Sequence, residues 1–174
     1  MKKLITSVVL SCLLLNIVAF AGIDSKGAAY QGGTMKESLF GGATKPVEGI
    51  LNTGDEKDLK FTYRLGKVDK TEKLYSIPYN QIIDIEYGQK AGRRVGAAAA
   101  TAILLGPIGL LMLFSKKRKH FVTIGYKDSA DIEQVAVFEV GKDIIRTTLA
   151  VIEARSGKKI VYQDEEAKKS SKSE

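Results

Sequence analysis

Apolar and polar residues alternate in several short runs after Pro46. In the clearest run, Leu59, Phe61, Tyr63 and Leu65 alternate with polar side chains. A period of two is typical of a strand with one buried and one solvent-facing side. Turn-forming residues separate most of the runs. The pattern predicts strands within residues 47–51, 59–65, 74–79, 82–87, 121–126 and 135–140.

The hydrophobic period becomes helical after residue 140. Asp143 is placed to cap a helix, and Arg155 followed by Gly157 is typical of a helix end. Between them one apolar stripe contains Ile144, Ile145, Thr148, Leu149 and Ile152. We expect this helix to close the sheet and a short strand to follow at residues 158–162. The predicted fold is mainly β, an antiparallel sheet or open barrel capped by a C-terminal helix.

The segments that flank this predicted domain, residues 46–163, differ in composition. Residues 22–45 are rich in Gly, Ala, Ser and Thr, which predicts a flexible lead-in with only a weak strand pattern at residues 28–31. Residues 164–174 are nearly all charged or Ser, which predicts a solvated tail. Pro78 lacks a backbone donor, so its strand is expected at an edge of the sheet.

One long apolar segment, residues 95–114, interrupts the strands. It carries no charge, and only Thr101 is polar. A single helix of this length would span about 30 Å, enough to cross a bilayer core. A single crossing would leave two halves, neither with enough residues to bury a core. Because Gly106-Pro107 can reverse the chain, we predict a re-entrant helical hairpin; a buried part of a soluble protein and an oligomer interface are the alternatives.

The N-terminus is typical of an exported protein. Lys2 and Lys3 precede an apolar run that ends in the small-x-small triplet at residues 19–21, which predicts a signal peptide over residues 1–21. The same run could remain as an uncleaved anchor, and residues 9–12 resemble a lipoprotein processing site at Cys12. Cleavage after Ala21 would leave a mature chain without cysteine, and so without disulfides.

The net charge of +7 is local. Residues 87–120 contain 7 of the 27 basic residues and no acid, so 27 − 7 = 20 basic residues face 20 acidic ones elsewhere. Basic residues beside an apolar wedge suit an anionic membrane, and the alternative is a solvated charge run. Nucleic acid is disfavoured, because interleaved aromatic residues are missing. The predicted headgroup contacts are Arg93, Arg94, Lys116, Lys117, Arg118 and Lys119.

Few residues offer catalytic chemistry. The single histidine, His120, follows a run of cations, and the sequence shows it no partner, so we expect an ordinary histidine at a strand edge. Asp84 and Glu86 are predicted on the solvent-facing side of their strand. No phosphate loop or metal-spaced cluster occurs in the sequence. We expect no catalytic residue, metal or cofactor, and therefore no enzyme.

The segments EYGQKAGRR, SKKRKHF and VFEVGKDIIRTTLAVIEARSGKKI are similar to uncharacterised exported bacterial proteins. Over residues 46–166 the chain resembles a pleckstrin-homology-like domain, in which a helix caps an open barrel. The resemblance implies a binding module whose ligand is a lipid or a protein, although the apolar insertion departs from the usual domain. We therefore expect a non-enzymatic, membrane-associated binding or scaffolding module of the bacterial cell envelope; a soluble structural protein that oligomerises through residues 95–114 is the alternative.

Overall fold

The computed structural model describes residues 24–34, 46–65, 71–89 and 119–171. Eight strands form one sheet in the order β4-β3-β2-β1-β7-β6-β5-β8. In chain order they are β1 (Asp24–Gly33), β2 (Val47–Asn52), β3 (Asp58–Tyr63), β4 (Lys73–Pro78), β5 (Ile82–Gly88), β6 (His120–Lys127), β7 (Glu133–Val140) and β8 (Ile160–Tyr162). A 3-10 turn (Tyr79–Gln81) joins β4 to β5, and two helices follow β7, α1 (Lys142–Ser156) and α2 (Glu165–Ser170).

The mainly β fold predicted from the alternation is confirmed. β2 to β7 fall within two residues of the predicted strands, and β4, which ends at Pro78, lies at an edge of the sheet as expected. The strands β1 to β7 pair in antiparallel fashion. The prediction of a wholly antiparallel sheet is wrong for β8, which pairs in parallel with β5 because α1 carries the chain back across the sheet.

The flexible lead-in predicted for residues 22–45 is wrong for residues 24–33. These residues form β1, which lies between β2 and β7 in the middle of the sheet. Ala28 and Tyr30 are buried on the core side, while Gln31 interrupts the alternation because the pairing with β7 shifts register between Tyr30 and Gly32. A Gly- and Ala-rich strand is stabilised here by two neighbours rather than by its own propensity.

The sheet is strongly curved. Tyr75 on β4 contacts Tyr126 on β6, although four strands separate them in the sheet order. In a flat sheet, five strand spacings of about 4.8 Å would hold these strands about 24 Å apart. Phe61 on β3 and Phe138 on β7 meet across the same concave side, with ring centroids 5.2 Å apart. The sheet therefore wraps around one core without pairing its two edges.

Helix α1 contributes its apolar stripe to that core. Ile145, Thr148, Leu149 and Ile152 are all buried, as the helical period predicts. The predicted cap is wrong: the N-cap is Gly141, and Asp143 lies within the first turn, where its charge still suits the helix dipole. Gly157, with φ of 68°, ends the helix in the left-handed conformation and donates its N–H to the carbonyl of Glu153.

The predicted solvated tail is wrong in part, because residues 165–170 form α2. Asp164 caps this short helix by accepting a hydrogen bond from the Ala167 N–H at 2.7 Å. Ala167 is 1% exposed and belongs to the main core. The predictions for residues 1–21 and for the apolar hairpin at residues 95–114 fall outside the residues that the structure describes.

Candidate functional site

The two strands that flank the long apolar segment are direct neighbours in the sheet. β5 ends at Gly88, which pairs with Phe121, the second residue of β6. The chain thus leaves the described structure at Gln89 and returns to it at Lys119, at one end of two hydrogen-bonded strands. Both attachment points of residues 90–118 are therefore at the same end of the sheet.

Of the six predicted headgroup contacts, the structure describes Lys119. Arg93, Arg94, Lys116, Lys117 and Arg118 lie outside the described residues. The Lys119 ammonium forms an ion pair with Glu139 on β7, at 2.8 Å from Oε2. The same oxygen accepts a hydrogen bond from the Gln31 amide on β1 at 2.5 Å. Lys119 is therefore already paired within the domain.

His120 differs from the ordinary strand-edge histidine expected from the sequence. It begins β6, an interior strand of the sheet, and is 6% exposed. Its Nδ1 atom and the Tyr87 hydroxyl are hydrogen-bonded at 2.5 Å, and the two rings stack. The Tyr87 hydroxyl also lies 3.1 Å from the Ser170 hydroxyl of α2. This buried network ties the C-terminal helix to the strands that carry the insertion.

Burial and charge both favour the neutral imidazole. Desolvation is the largest cause that lowers the pKa of His120, the Lys142 ammonium lowers it further, and the Glu139 carboxylate opposes them. Desolvation likewise raises the pKa of the Tyr87 hydroxyl, against the hydrogen bond with Ser170. Both groups therefore stay uncharged at neutral pH, which suits a structural network better than proton transfer.

The two carboxylates of β5 do not form the predicted solvent-facing pair. A register shift between Ile82 and Asp84 turns Ile83 outward, where it is 37% exposed. Asp84 accepts a hydrogen bond from the Gly125 N–H at 3.1 Å. Glu86 is 5% exposed and accepts one from the Gln163 amide at 3.0 Å. Both carboxylates thus have structural partners.

Within the described ranges, the structure brings no three His, Cys, Asp or Glu side chains close enough to hold a metal ion. Neither of the two described helices is long and apolar enough to cross a membrane.

Comparison with known proteins gives no match: no family model fits the chain, and no curated protein or solved structure is similar to it. The class of protein that the geometry defines is therefore a curved β-sheet domain with a helix in its core and a long apolar insertion between two paired strands.

Sequence reasoning missed the polar partners at this end of the sheet. Gln31, Glu139 and Lys119 belong to three neighbouring strands or their ends, and Tyr87 reaches His120 across the β5–β6 pair. The strand order joins Gln31 to Glu139 across 108 positions and Tyr87 to His120 across 33. The one signal in the sequence was Gln31 itself, a polar residue directly after the alternating Ala28 and Tyr30.

Proposed function

We propose that this protein is a non-enzymatic binding or scaffolding module of the cell envelope, attached to a membrane by residues 95–114. The observation that carries the proposal is the pairing of Gly88 with Phe121 on either side of that segment. Paired antiparallel residues lie about 5 Å apart, whereas a single crossing would separate the segment's ends by a bilayer core of about 30 Å. This pairing supports a segment that enters and returns on one side, as a re-entrant hairpin does, rather than a single crossing.

In this proposal both basic clusters lie on that side. Arg94 is six residues from Gly88, and Lys116 is five residues from Phe121. A chain reaches at most about 3.6 Å per residue, so both clusters stay within about 20 Å of the strand ends. Each lysine or arginine near an anionic surface contributes about 1 kcal/mol, less at high salt. Arg93, Arg94, Lys116, Lys117 and Arg118 would therefore reinforce the apolar anchor on the membrane side that holds the domain.

The pleckstrin-homology-like resemblance supports the same class of function. A curved sheet with a helix in its core is the scaffold that such domains use for lipids or proteins, and the described residues contain this arrangement. The polar groups that could have suggested catalysis, His120 and Glu86, have structural partners instead. A binding role is the one that the geometry supports best.

The experiment compares the full-length protein with a variant in which residues 90–118 are replaced by a short Asn-Gly turn. Because β5 and β6 pair directly, Asn-Gly together with Lys119 gives a three-residue hairpin connection between Gln89 and His120 that keeps the register of Gly88 with Phe121. Membranes are washed with alkaline carbonate. We expect the native protein to stay in the membrane and the variant to become soluble.

The other outcomes contradict the anchor in different ways. Retention of both proteins would place the attachment at residues 1–21. A native protein found in the soluble fraction with a defined oligomer mass would favour the alternative, a structural protein that assembles through residues 95–114.

The charge contribution is tested with the Arg93→Ser/Arg94→Ser double variant on vesicles that contain phosphatidylglycerol. A matched control is Lys158→Ser/Lys159→Ser, which removes two exposed cations beyond the end of α1. We expect the arginine variant alone to bind more weakly, with a smaller dependence on salt. Equal binding by the two variants would reject the headgroup role.

A further inference from the structure

A cleft of about 500 Å³ lies on the side of the sheet opposite the core, above β1. Ala29 lies at its centre and is paired with Glu48 on β2 and with Glu139 on β7. Directly paired residues point to the same face, so the two carboxylates flank one methyl group about 10 Å apart, measured between Cα atoms as two strand spacings. Gly27 also lines the cleft, and a Cβ added there would meet no atom within 4 Å.

The cleft also contains a buried acceptor without a donor. Gln31 lines it and is 3% exposed. The Gln31 Nε2 atom donates to Glu139, but its Oε1 has no hydrogen-bond partner among the described residues. Buried polar atoms are paired in the large majority of cases, so this oxygen beside a cleft is an acceptor that a donor entering the cleft could reach.

Acceptors outnumber donors around this cleft. Among the described residues that line it, Lys119 is the one cation, and Glu139 already pairs with that ammonium through Oε2. Within the described part of the chain, no cation pairs with Glu48. Two carboxylates and an amide oxygen therefore face a space that holds one lysine. The complementary ligand is a cation with several N–H donors.

The position of the cleft indicates where such a cation comes from. Glu48, Ala29, Glu139, Phe121 and Gly88 form one row across five neighbouring strands. The cleft is thus level with the two residues between which the apolar segment is inserted. In the proposed attachment, lipid headgroups lie at this level, and the Lys119 ammonium, paired with Glu139, lies at the same end of the sheet.

We propose that this cleft binds the primary ammonium of an ethanolamine phospholipid headgroup, with Glu48, Glu139 and the Gln31 amide oxygen as acceptors and Lys119 beside the phosphate. This inference rests on the proposed membrane attachment. A primary ammonium offers three N–H donors, whereas the trimethylammonium of choline carries the same charge and none. The site therefore distinguishes ethanolamine from choline headgroups.

The test measures binding of the full-length protein to two sets of vesicles with equal phosphatidylglycerol, one completed with phosphatidylethanolamine and the other with phosphatidylcholine. We expect about fivefold tighter binding to the ethanolamine vesicles, the size of one net hydrogen bond. Glu48→Gln and Ala29→Leu, which fills the cleft, should remove the preference. Glu133→Gln should keep it, because Glu133 lies on the same strand and face as Glu139 but at the opposite end.

Equal binding of the wild-type protein to both sets of vesicles would overturn the lipid proposal, and so would an unchanged preference in both Glu48→Gln and Ala29→Leu. A parallel titration of the detergent-solubilised protein with ethanolamine and choline tests the cleft without a bilayer. Ethanolamine binding there, without a vesicle preference, would identify a free amine as the ligand and reject the lipid. Failure of the attachment itself is recognised separately, as loss of resistance to carbonate.

Discussion

Two buried side-chain atoms have no hydrogen-bond partner among the described residues, the Gln31 amide oxygen and the Tyr79 hydroxyl. Both residues line clefts of similar size, about 500 Å³ and about 470 Å³. The Tyr79 cleft contains Arg155, whose guanidinium lies 5.5 Å from the centre of the Tyr79 ring. The Gln31 cleft instead contains two carboxylates and one lysine that is already paired.

The two clefts differ in whether the protein itself supplies a positive charge. Arg155 donates to the backbone carbonyls of Thr53 and Asp55, and burial raises the pKa of Tyr79 while the nearby guanidinium lowers it, first as a donor and then through its charge. The protein thus provides the cation for the turn between β2 and β3. No equivalent cation reaches Glu48 or Gln31 among the described residues. The fold supplies a cation to one cleft, and the other has room for a cation from outside.

The largest expected effect comes from removing Arg155 from the Tyr79 cleft. Arg155→Ala removes the donor of two carbonyls and the cation over Tyr79, which should lower the free energy of unfolding by about 2–3 kcal/mol. Denaturation of the detergent-solubilised protein by urea measures this loss. Arg146→Ala is the matched control, because Arg146 lies on the exposed side of the same helix and its loss should change stability by about 0.5 kcal/mol or less. Equal effects of the two substitutions would show that the turn does not depend on Arg155.

The sequence predicted the elements whose burial follows a visible period, and it missed those whose burial depends on neighbours. β3 alternates plainly, so its buried Leu59 and Phe61 were predictable. β1 was not, because its Ala- and Gly-rich side chains are buried by β2 and β7 and its alternation stops at Gln31. α2 was missed for a similar reason, since Ala167 is its only buried residue.

The candidate sites show the same limit more strongly. Basic residues beside an apolar segment are visible in one stretch of sequence, so the membrane hypothesis could be formed without a structure. The cleft above Ala29 could not be predicted, because Glu48 and Glu139 come together only when β1 is known to lie between β2 and β7. Pairing of Lys119 with Glu139 likewise depends on the register of two strands.

The pH dependence of stability should separate the two regions. The pKa of His120, beside Lys119, is lowered by burial, so the folded protein binds this proton less readily than the unfolded chain does. Its stabilising contribution is complete above the ordinary histidine pKa of about 6.5 and is lost as the pH falls through the lower folded value. The pKa of Asp55, in the turn, is held well below the ordinary aspartate value, chiefly by its hydrogen bond with Lys60, so the contribution of Asp55 persists to more acidic pH.

The check is the free energy of unfolding between pH 7.5 and pH 4.5. We expect the free energy of unfolding of the wild-type protein to decrease as the pH is lowered. The decrease should be smaller in His120→Asn, because the asparagine amide oxygen can still accept from Tyr87 but does not titrate. Amide exchange should increase first near Tyr87 and Ser170, the partners in the His120 network. Earlier exchange at the Asp55 turn, or identical pH profiles for the two proteins, would contradict this order.

The smallest expected effect concerns Gln31 itself. Gln31→Leu loses one hydrogen bond to Glu139, but it also removes a buried oxygen that has no partner among the described residues. These changes oppose each other at about 1–3 kcal/mol each, so the free energy of unfolding should change by only about 0.5 kcal/mol. The same variant should lose the preference for ethanolamine vesicles. A loss of stability comparable to that of Arg155→Ala would mean that the Gln31 oxygen has a structural partner, such as a fixed water. The Gln31 cleft would then need no ligand. Unchanged stability with a lost preference would instead show that this oxygen is kept for a ligand, since the folded chain gains nothing from it.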